Sequence, residues 1–298
     1  MSTPSLSKNK AEETVGTTTK ASSPVHGATP KKLAVLGCGK LGTILLQAFL
    51  ERRLAEKDEV VATVQHEDKC KALSEQLGGV PFLSDNRAAV EGAPIVLICV
   101  KPQAMPQLLE EIGPVLQPNA LVISVVASTT ISIMQQKLGT EIPIIRAMPN
   151  TPSMVGAGMT ALAAAASARA EHLELTRHLF EGVGRVVVVD EKHMDAITAL
   201  SASGPAFVFV ILESLAEAGV KVGLPRELAT TLAAQTLFGA AQLALKTGHH
   251  PALLKDAVTT PAGCTIEGLI ELEKGGLRVT LINAIIKTTN RAKELMGS

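Results

Sequence analysis

From residue 33 onward, short continuous apolar runs alternate with stretches whose apolar residues recur every three to four positions. Leu33-Ala-Val-Leu-Gly37 predicts a strand that runs straight into Gly37-Cys-Gly39-Lys-Leu-Gly42. Leu41, Ile44, Leu45, Ala48 and Phe49 then repeat with the helical period. A second strand is predicted at 60–64, a helix at 68–77 stopped by Gly78-Gly79, and a brief strand at 80–83. Ser84 or Asp85 caps a short helix to residue 90. Pro94-Ile-Val-Leu-Ile-Cys-Val100 has no polar alternation, as expected of a strand in a parallel sheet covered on both faces. A helix to residue 112, a strand at 120–126, a helix to 138 capped by Ser128 or Thr129, and a strand at 142–147 follow. This alternation predicts a doubly wound parallel sheet. Strands at 156–161 and 184–189, with a helix at 168–181 between them, extend the same sheet.

Past Glu191 the β-branched runs disappear. Helices are predicted at 191–219, interrupted at Gly204-Pro205, and at 225–246, with Pro225 as first helical residue. Further helices cover 251–257, 265–274 and 277–295. Leu228, Leu232, Ala233, Leu237, Ala240, Ala241 and Ala244 make one broad apolar face. So much alanine and leucine on several faces predicts packing between subunits. The division is thus a polar, disordered tail at 1–30, a dinucleotide-binding domain at 31–190 and an all-helical domain at 191–298.

Composition narrows the function. Lys plus Arg and Asp plus Glu are each 28, and aromatics are 2%, all Phe. Neither clustered positive charge nor stacking platforms are available, so nucleic acid is not an expected partner. Cys38, Cys70, Cys99 and Cys264 show no CxxC and no metal spacing. The tail holds neither the apolar run of a signal peptide nor the arginines of a presequence. Glu213 breaks the run at 205–215, and Ser and Thr break the one at 120–134, so no membrane span is expected. These features together predict a soluble, cytoplasmic chain with neither membrane nor metal.

The chemistry concentrates at loop edges. In Gly37-x-Gly39-x-x-Gly42, the first glycine makes a tight turn, the second admits a pyrophosphate and the third lets the helix pack on the sheet. The backbone around Cys38, Lys40 and Leu41 opens that helix toward phosphate. This predicts a Rossmann-like domain, unless the segment is a glycine-rich turn without ligand. The next strand ends in Val64-Gln65-His66 and lacks the carboxylate that holds a ribose 2′-hydroxyl. His66 and Lys69 suit a 2′-phosphate, favouring NADPH over NADH, or else form a solvated helix start. Val100, Lys101 and Pro102 occupy the ligand edge of the sheet, with Lys101 reaching either cofactor or water. Cys99 reads as core. Arg146-Ala-Met148-Pro-Asn150-Thr-Pro152 lies at the next such edge, where Met148 and Asn150 meet the cofactor or the segment merely caps the strand. Thr259, Thr260 and Thr265 surround Pro261-Ala-Gly-Cys264, a stiff loop entering a helix. Gly263, Cys264 and Thr265 there present successive N–H groups to a small carboxylate, or Thr serves as a plain N-cap. Ser201-Ala-Ser203-Gly-Pro205 is a similar interruption near the domain junction. No Ser–His–Asp set is legible, and hydride chemistry needs none, because the cofactor carries it.

Residues 33–295 resemble the pyrroline-5-carboxylate reductase family. The matching segments are Gly37–Gly42, Cys99-Val-Lys-Pro-Gln103, Arg146–Pro152, Ser203-Gly-Pro-Ala206, Ala218-Gly-Val-Lys-Val-Gly-Leu-Pro225, Leu254-Lys-Asp-Ala-Val-Thr-Thr-Pro261, Thr265 and Leu272-Glu-Lys-Gly-Gly276. The resemblance implies NAD(P)H-dependent reduction of (S)-1-pyrroline-5-carboxylate to L-proline. It further implies helical domains intertwined as homodimers, which in some members assemble into decamers. It places the imino-acid substrate between the nicotinamide and the Pro-Gly loop, near the dimer interface. Thr260 then helps hold the carboxylate, Cys264 and Thr265 add N–H groups, and the Thr265 hydroxyl meets the ring nitrogen as the catalytic candidate. Ser203 and Gly263 complete the substrate set. Three departures stand out. Pro261-Ala-Gly-Cys-Thr265 replaces the family's Pro-Gly-Gly-Thr-Thr or Pro-Gly-Gly-Ala-Thr, which alters loop geometry if Ala262 must take positive φ. Ala202 and Phe207 replace a glycine and a tyrosine, and His249 replaces an acidic residue. The alternatives are a β-hydroxyacid or other imine reductase, and a cofactor-sensing interaction protein with a vestigial site. Lys192 lies too early to serve as the hydroxyacid enzymes' acid–base lysine.

Overall fold

The computed structural model describes residues 32–295, so the tail expectation lies outside the described residues. Eight strands form one sheet in the order β3-β2-β1-β4-β5-β6-β7-β8. They are β1 (Leu33–Leu36), β2 (Val60–Thr63), β3 (Phe82–Leu83), β4 (Ile95–Ile98), β5 (Leu121–Ser124), β6 (Ile144–Met148), β7 (Gly158–Ala164) and β8 (Gly184–Val188). The first six are parallel, and the order reverses between β1 and β4, the switch point where open α/β sheets bind ligands. The expectation of a wholly parallel sheet is corrected at β7, which runs antiparallel to β6. The segment between these strands holds only the 3₁₀ turn Thr151–Val155, too short for the crossover a parallel partner needs.

Two apolar layers cover the sheet. On one face α1 (Lys40–Glu51) and α6 (Ala170–Glu181) meet through Phe49 and Phe180, edge to face with centroids 5.8 Å apart. On the other face lie α3 (Asn86–Val90), α4 (Met105–Ile112) and α5 (Ile131–Leu138); α2 (Cys70–Gln76) leads into β3. Asp85 caps α3 by accepting from the Ala88 N–H. Thr130 caps α5, a correction to Ser128 or Thr129. Ser128 instead takes left-handed backbone, φ +62°.

The helical half opens with α7 (Met194–Ile197), passes through a π turn at Thr198–Ala202 and continues as α8 (Gly204–Lys221). The expected break at Gly204-Pro205 therefore falls just upstream, because proline is tolerated in a first helical turn. Then come α9 (Arg226–Thr247), α10 (Pro251–Ala257), α11 (Cys264–Lys274) and α12 (Leu277–Glu294). Pro225 is the residue before α9, not its first. Here the buried apolar residues are Met194, Ala199, Ala216, Ala229, Ala233 and Ala292, nearly all small. Helices α8 and α9 approach so closely that a Cβ on Gly219 would lie 2.9 Å from the Ala229 Cβ. Phe209, Leu215, Leu232, Phe238 and Leu245 are left exposed. Two stretches, Glu191–Lys221 and Arg226–Thr247, are long and apolar enough to cross a membrane. That corrects, by length and composition alone, the expectation that the apolar runs stop short of a span: the helical stretch extends well upstream of residue 205 as well as past Glu213.

One ion pair ties the halves together. Arg146 on β6 is buried, and its Nη1 lies 2.8 Å from Glu191 Oε1. The same oxygen accepts from the Ile131 N–H at 2.8 Å, capping α5. Removing one partner of a buried pair leaves the other charge uncompensated. Glu191→Ala is expected to lower unfolding free energy by about 3 kcal/mol in urea titrations. A loss under about 1 kcal/mol would mean that water replaces Glu191 around the guanidinium.

Candidate active site

The glycine loop between β1 and α1 behaves as three different glycines. Gly37 has φ +78°, and a Cβ on it would lie 2.5 Å from Val100 Cγ1. A Cβ on Gly42 would lie 3.0 Å from the Cys99 Cβ, so that glycine sets the helix against the sheet. Gly39 faces open space, with nothing within 4 Å of a Cβ there. It precedes α1 without a side-chain cap, so the Lys40, Leu41 and Gly42 amides open the helix with no intrahelical partner. An open cradle under uncapped amides fits a pyrophosphate. Behind it runs a relay absent from the sequence reading. The Gly37 N–H donates to Thr63 Oγ1 at 3.0 Å, and that hydroxyl donates to Asn86 Oδ1 at 2.7 Å. Asn86 Nδ2 donates in turn to Glu111 Oε2 at 3.1 Å. Thr63 is buried at the end of β2, and its motif signal is nil.

His66 and Lys69 are exposed beside the turn Glu67–Lys69, just past the end of β2. Lys101 is exposed, Pro102 opens a short 3₁₀ turn, and Val100 packs against Gly37. Cys38 is buried, and burial pushes its thiol up to about 12. Cys99 is pushed well above the usual thiol range by burial and by Cys38 beside it. Neither is a thiolate nucleophile at neutral pH. Cys38 therefore offers only backbone to a ligand.

Two residues expected at the cofactor also make contacts inside the protein. Met148 is buried with Met194, Ala161 and Ala163 in an apolar cluster spanning the halves. Asn150 uses both ends of its amide inside the protein. Its Nδ2 donates to the Ser201 carbonyl at 3.2 Å, and its Oδ1 accepts from the Met159 N–H at 2.9 Å.

Two adjoining clefts lie at this junction. One, of about 400 Å³, is lined by Thr151, Ser203, Pro205, Phe207, Phe209 and Thr288, among others. The other, of about 360 Å³, has Ser128, Thr198, Ser203, Lys287, Thr288 and Arg291 in its walls. Ser203 and Thr288 are shared, so the two form a continuous groove. The α12 residues were not foreseen, because they come from far along the chain and carry no local motif.

The threonine loop has the expected nest, shifted by one residue. The Gly263 N–H already donates to the Thr260 carbonyl at 3.1 Å. Gly263 is the N-cap residue of α11 and gives no side-chain cap. The uncommitted helix-opening amides therefore begin at Cys264 and continue through Thr265 and Ile266. Thr260 Oγ1 crowds the Gly263 α-carbon, leaving no room for a side chain. Ala262 takes φ +56°, the conformation that the glycine-to-alanine departure puts under strain. Thr260 and Cys264 are exposed and Thr265 is half-buried. No residue of 259–265 lines either junction cleft.

The sheet order, the glycine cradle and the second, helical half define a two-domain dinucleotide-dependent oxidoreductase. A family model described as pyrroline-5-carboxylate reductase dimerisation matches residues 191–295, and one described as NADP oxidoreductase, coenzyme F420-dependent, matches residues 32–128. The chain is 37% identical over 265 residues to pyrroline-5-carboxylate reductase of Methanosarcina acetivorans, covering 89% of this chain and 98% of that protein. Among solved structures it is similar to Plasmodium falciparum pyrroline carboxylate reductase with NADP bound (TM-score 0.82, 29% identity, 91% of this chain and 100% of that one). A Coxiella burnetii pyrroline-5-carboxylate reductase matches with TM-score 0.80 at 34% identity, covering 90% of this chain and 99% of that one. The chain belongs to the pyrroline-5-carboxylate reductase family.

Two outcomes are expected. Gly39→Asp keeps the fold, because its side chain enters open space, but weakens dinucleotide binding at least tenfold, or about 1.4 kcal/mol. Fluorescence titration measures this, and unchanged affinity would move the phosphates elsewhere. Ala262→Gly relieves the left-handed backbone and raises stability by about 1 kcal/mol in thermal unfolding. A destabilised variant would contradict that strain.

Proposed function

We propose that the chain reduces (S)-1-pyrroline-5-carboxylate to L-proline with NADPH, at a site completed by a second copy. The match to pyrroline-5-carboxylate reductases along both halves of the chain carries this reading. NADP is bound in the Plasmodium relative, and here the cradle and the two exposed basic residues beyond β2 suit the phosphorylated form. When bound, the nicotinamide supplies the hydride that lands on C5 of the imine.

The chain's own residues do the holding. Lys40, Leu41 and Gly42 offer amides to the pyrophosphate, and His66 and Lys69 face the 2′-phosphate. Val100, Lys101 and Pro102 border the path of the cofactor along the sheet edge. Thr260, Cys264 and Thr265 take the substrate carboxylate, the amides supplying fixed donors that need no reorganisation. The Thr265 hydroxyl orients the ring nitrogen. It is a weak acid, so the proton arrives with the substrate or from solvent. Ser203 forms the opposite wall.

In a single chain the threonine loop does not border the Ser203 groove. The exposed apolar faces of α8, α9 and α12 belong to the segment matching the dimerisation model. The loop that closes each groove therefore comes from the second copy of a homodimer. Higher assembly to a decamer is proposed on the resemblance alone, and sedimentation velocity decides it. All four cysteines are free, which suits a reducing, cytoplasmic setting.

Thr265→Ala is expected to lower kcat/KM by about tenfold or more, with NADPH affinity unchanged. Wild-type kcat/KM in the variant would remove Thr265 from the chemistry. Co-expressing Gly39→Asp with Thr265→Ala chains tests the shared site. Mixed dimers regain one intact site, so about a quarter of wild-type activity returns. If every site lies within one chain, nothing returns.

A further inference from the structure

The chain before α8 makes an unusual join. The Ser203 N–H reaches back five residues to the Thr198 carbonyl at 2.9 Å, the signature of a π turn. Such a turn pushes one residue out of the helical register and frees a carbonyl, and it recurs at functional sites. Here Pro205, four residues past Ser201, has no N–H to donate, and the Ser201 carbonyl takes its hydrogen bond from outside the helix, from Asn150 Nδ2 at 3.2 Å. The Ser201 hydroxyl lies 3.5 Å from the same nitrogen. The other end of the amide accepts from the Met159 N–H at 2.9 Å, at the start of β7. One half-buried side chain thus joins the end of β6, the start of β7 and the displaced turn. Its chain neighbour Thr151 lines the groove on the sheet side, and Ser203, two residues past Ser201, lines it on the helical side.

We propose that Asn150 is a positioning residue for this reaction: its carboxamide sets the width of the groove by holding the π turn, and with it Ser203, against the sheet. The inference rests on the reading of the groove as the imino-acid site. Asparagine suits the task because it supplies a donor and an acceptor on one short, uncharged group. Asp has the same shape and keeps the acceptor for Met159, but when ionised it presents an oxygen to the Ser201 carbonyl where a donor stood.

A double-mutant cycle tests it. Asn150→Asp is expected to lower kcat/KM for the imino acid about tenfold in the wild-type background and less than about twofold in the Ser203→Ala background. NADPH affinity, measured by titration without substrate, should stay within about twofold in both. Equal losses in the two backgrounds would show that Asn150 does not act through Ser203. A fall in NADPH affinity matching the loss of activity would make it a cofactor residue instead. Unchanged activity would remove the role altogether. If Asn150→Asp does not fold, the uncharged Asn150→Ser replaces it in the same cycle under the same criteria. Failure of the wild-type chain itself to reduce the imino acid would overturn the functional reading, separately from any result of the cycle.

Discussion

The helical half of this chain cannot bury its own apolar surface. Alanine and glycine let α8 and α9 touch closely, as Gly219 does against Ala229. The large residues point away, with Phe209, Phe238 and Leu245 among those exposed. Apolar area of this kind is the driving force for association. The same constraint suits the proposed site, whose parts do not meet in one chain. The groove at the junction has a sheet wall and a helical wall, while the threonine loop that suits a carboxylate stands apart from both.

The sheet half is self-sufficient by contrast. Its strands from β1 to β6 are largely buried, only the edge strand β8 leaves Val187 and Val188 exposed, and its glycine loop is held from behind by the Thr63–Asn86–Glu111 relay. Positional accuracy at a reacting ring needs such rigid backing. Three contacts carry that rigidity across the junction. They are the Arg146–Glu191 pair, the Met148–Met194 cluster and the Asn150 amide. All involve the end of β6 or the loop just after it. The segment Arg146–Pro152 is thus a bracket between the halves.

Much of this was legible in the amino acids because local chemistry dictated it. Gly37, Gly39 and Gly42 take three different environments that only spacing within one loop could prescribe. The strain expected of Ala262 is present as a positive φ. What escaped was set by distant partners. Thr63 looks like any strand threonine until Gly37 and Asn86 arrive on either side. Asn150 sits in a loop suited to ligand binding, and only the fold brings Ser201 to its amide. The direction of β7 depended on how little chain separates it from β6, and the π turn left no mark beyond a suspicious Gly204-Pro205 placed slightly too late. The need of the apolar helices for a partner, by contrast, was legible in their alanine- and leucine-rich faces, whose large residues are left exposed here.

The most direct test is a structure of the assembled protein with NADP and an unreactive cyclic carboxylate shaped like the product. The account predicts the carboxylate on the Cys264 and Thr265 amides of one copy, with its ring against the nicotinamide and Ser203 of the other. A carboxylate held by a single chain, or lodged away from residues 259–265 altogether, would contradict it.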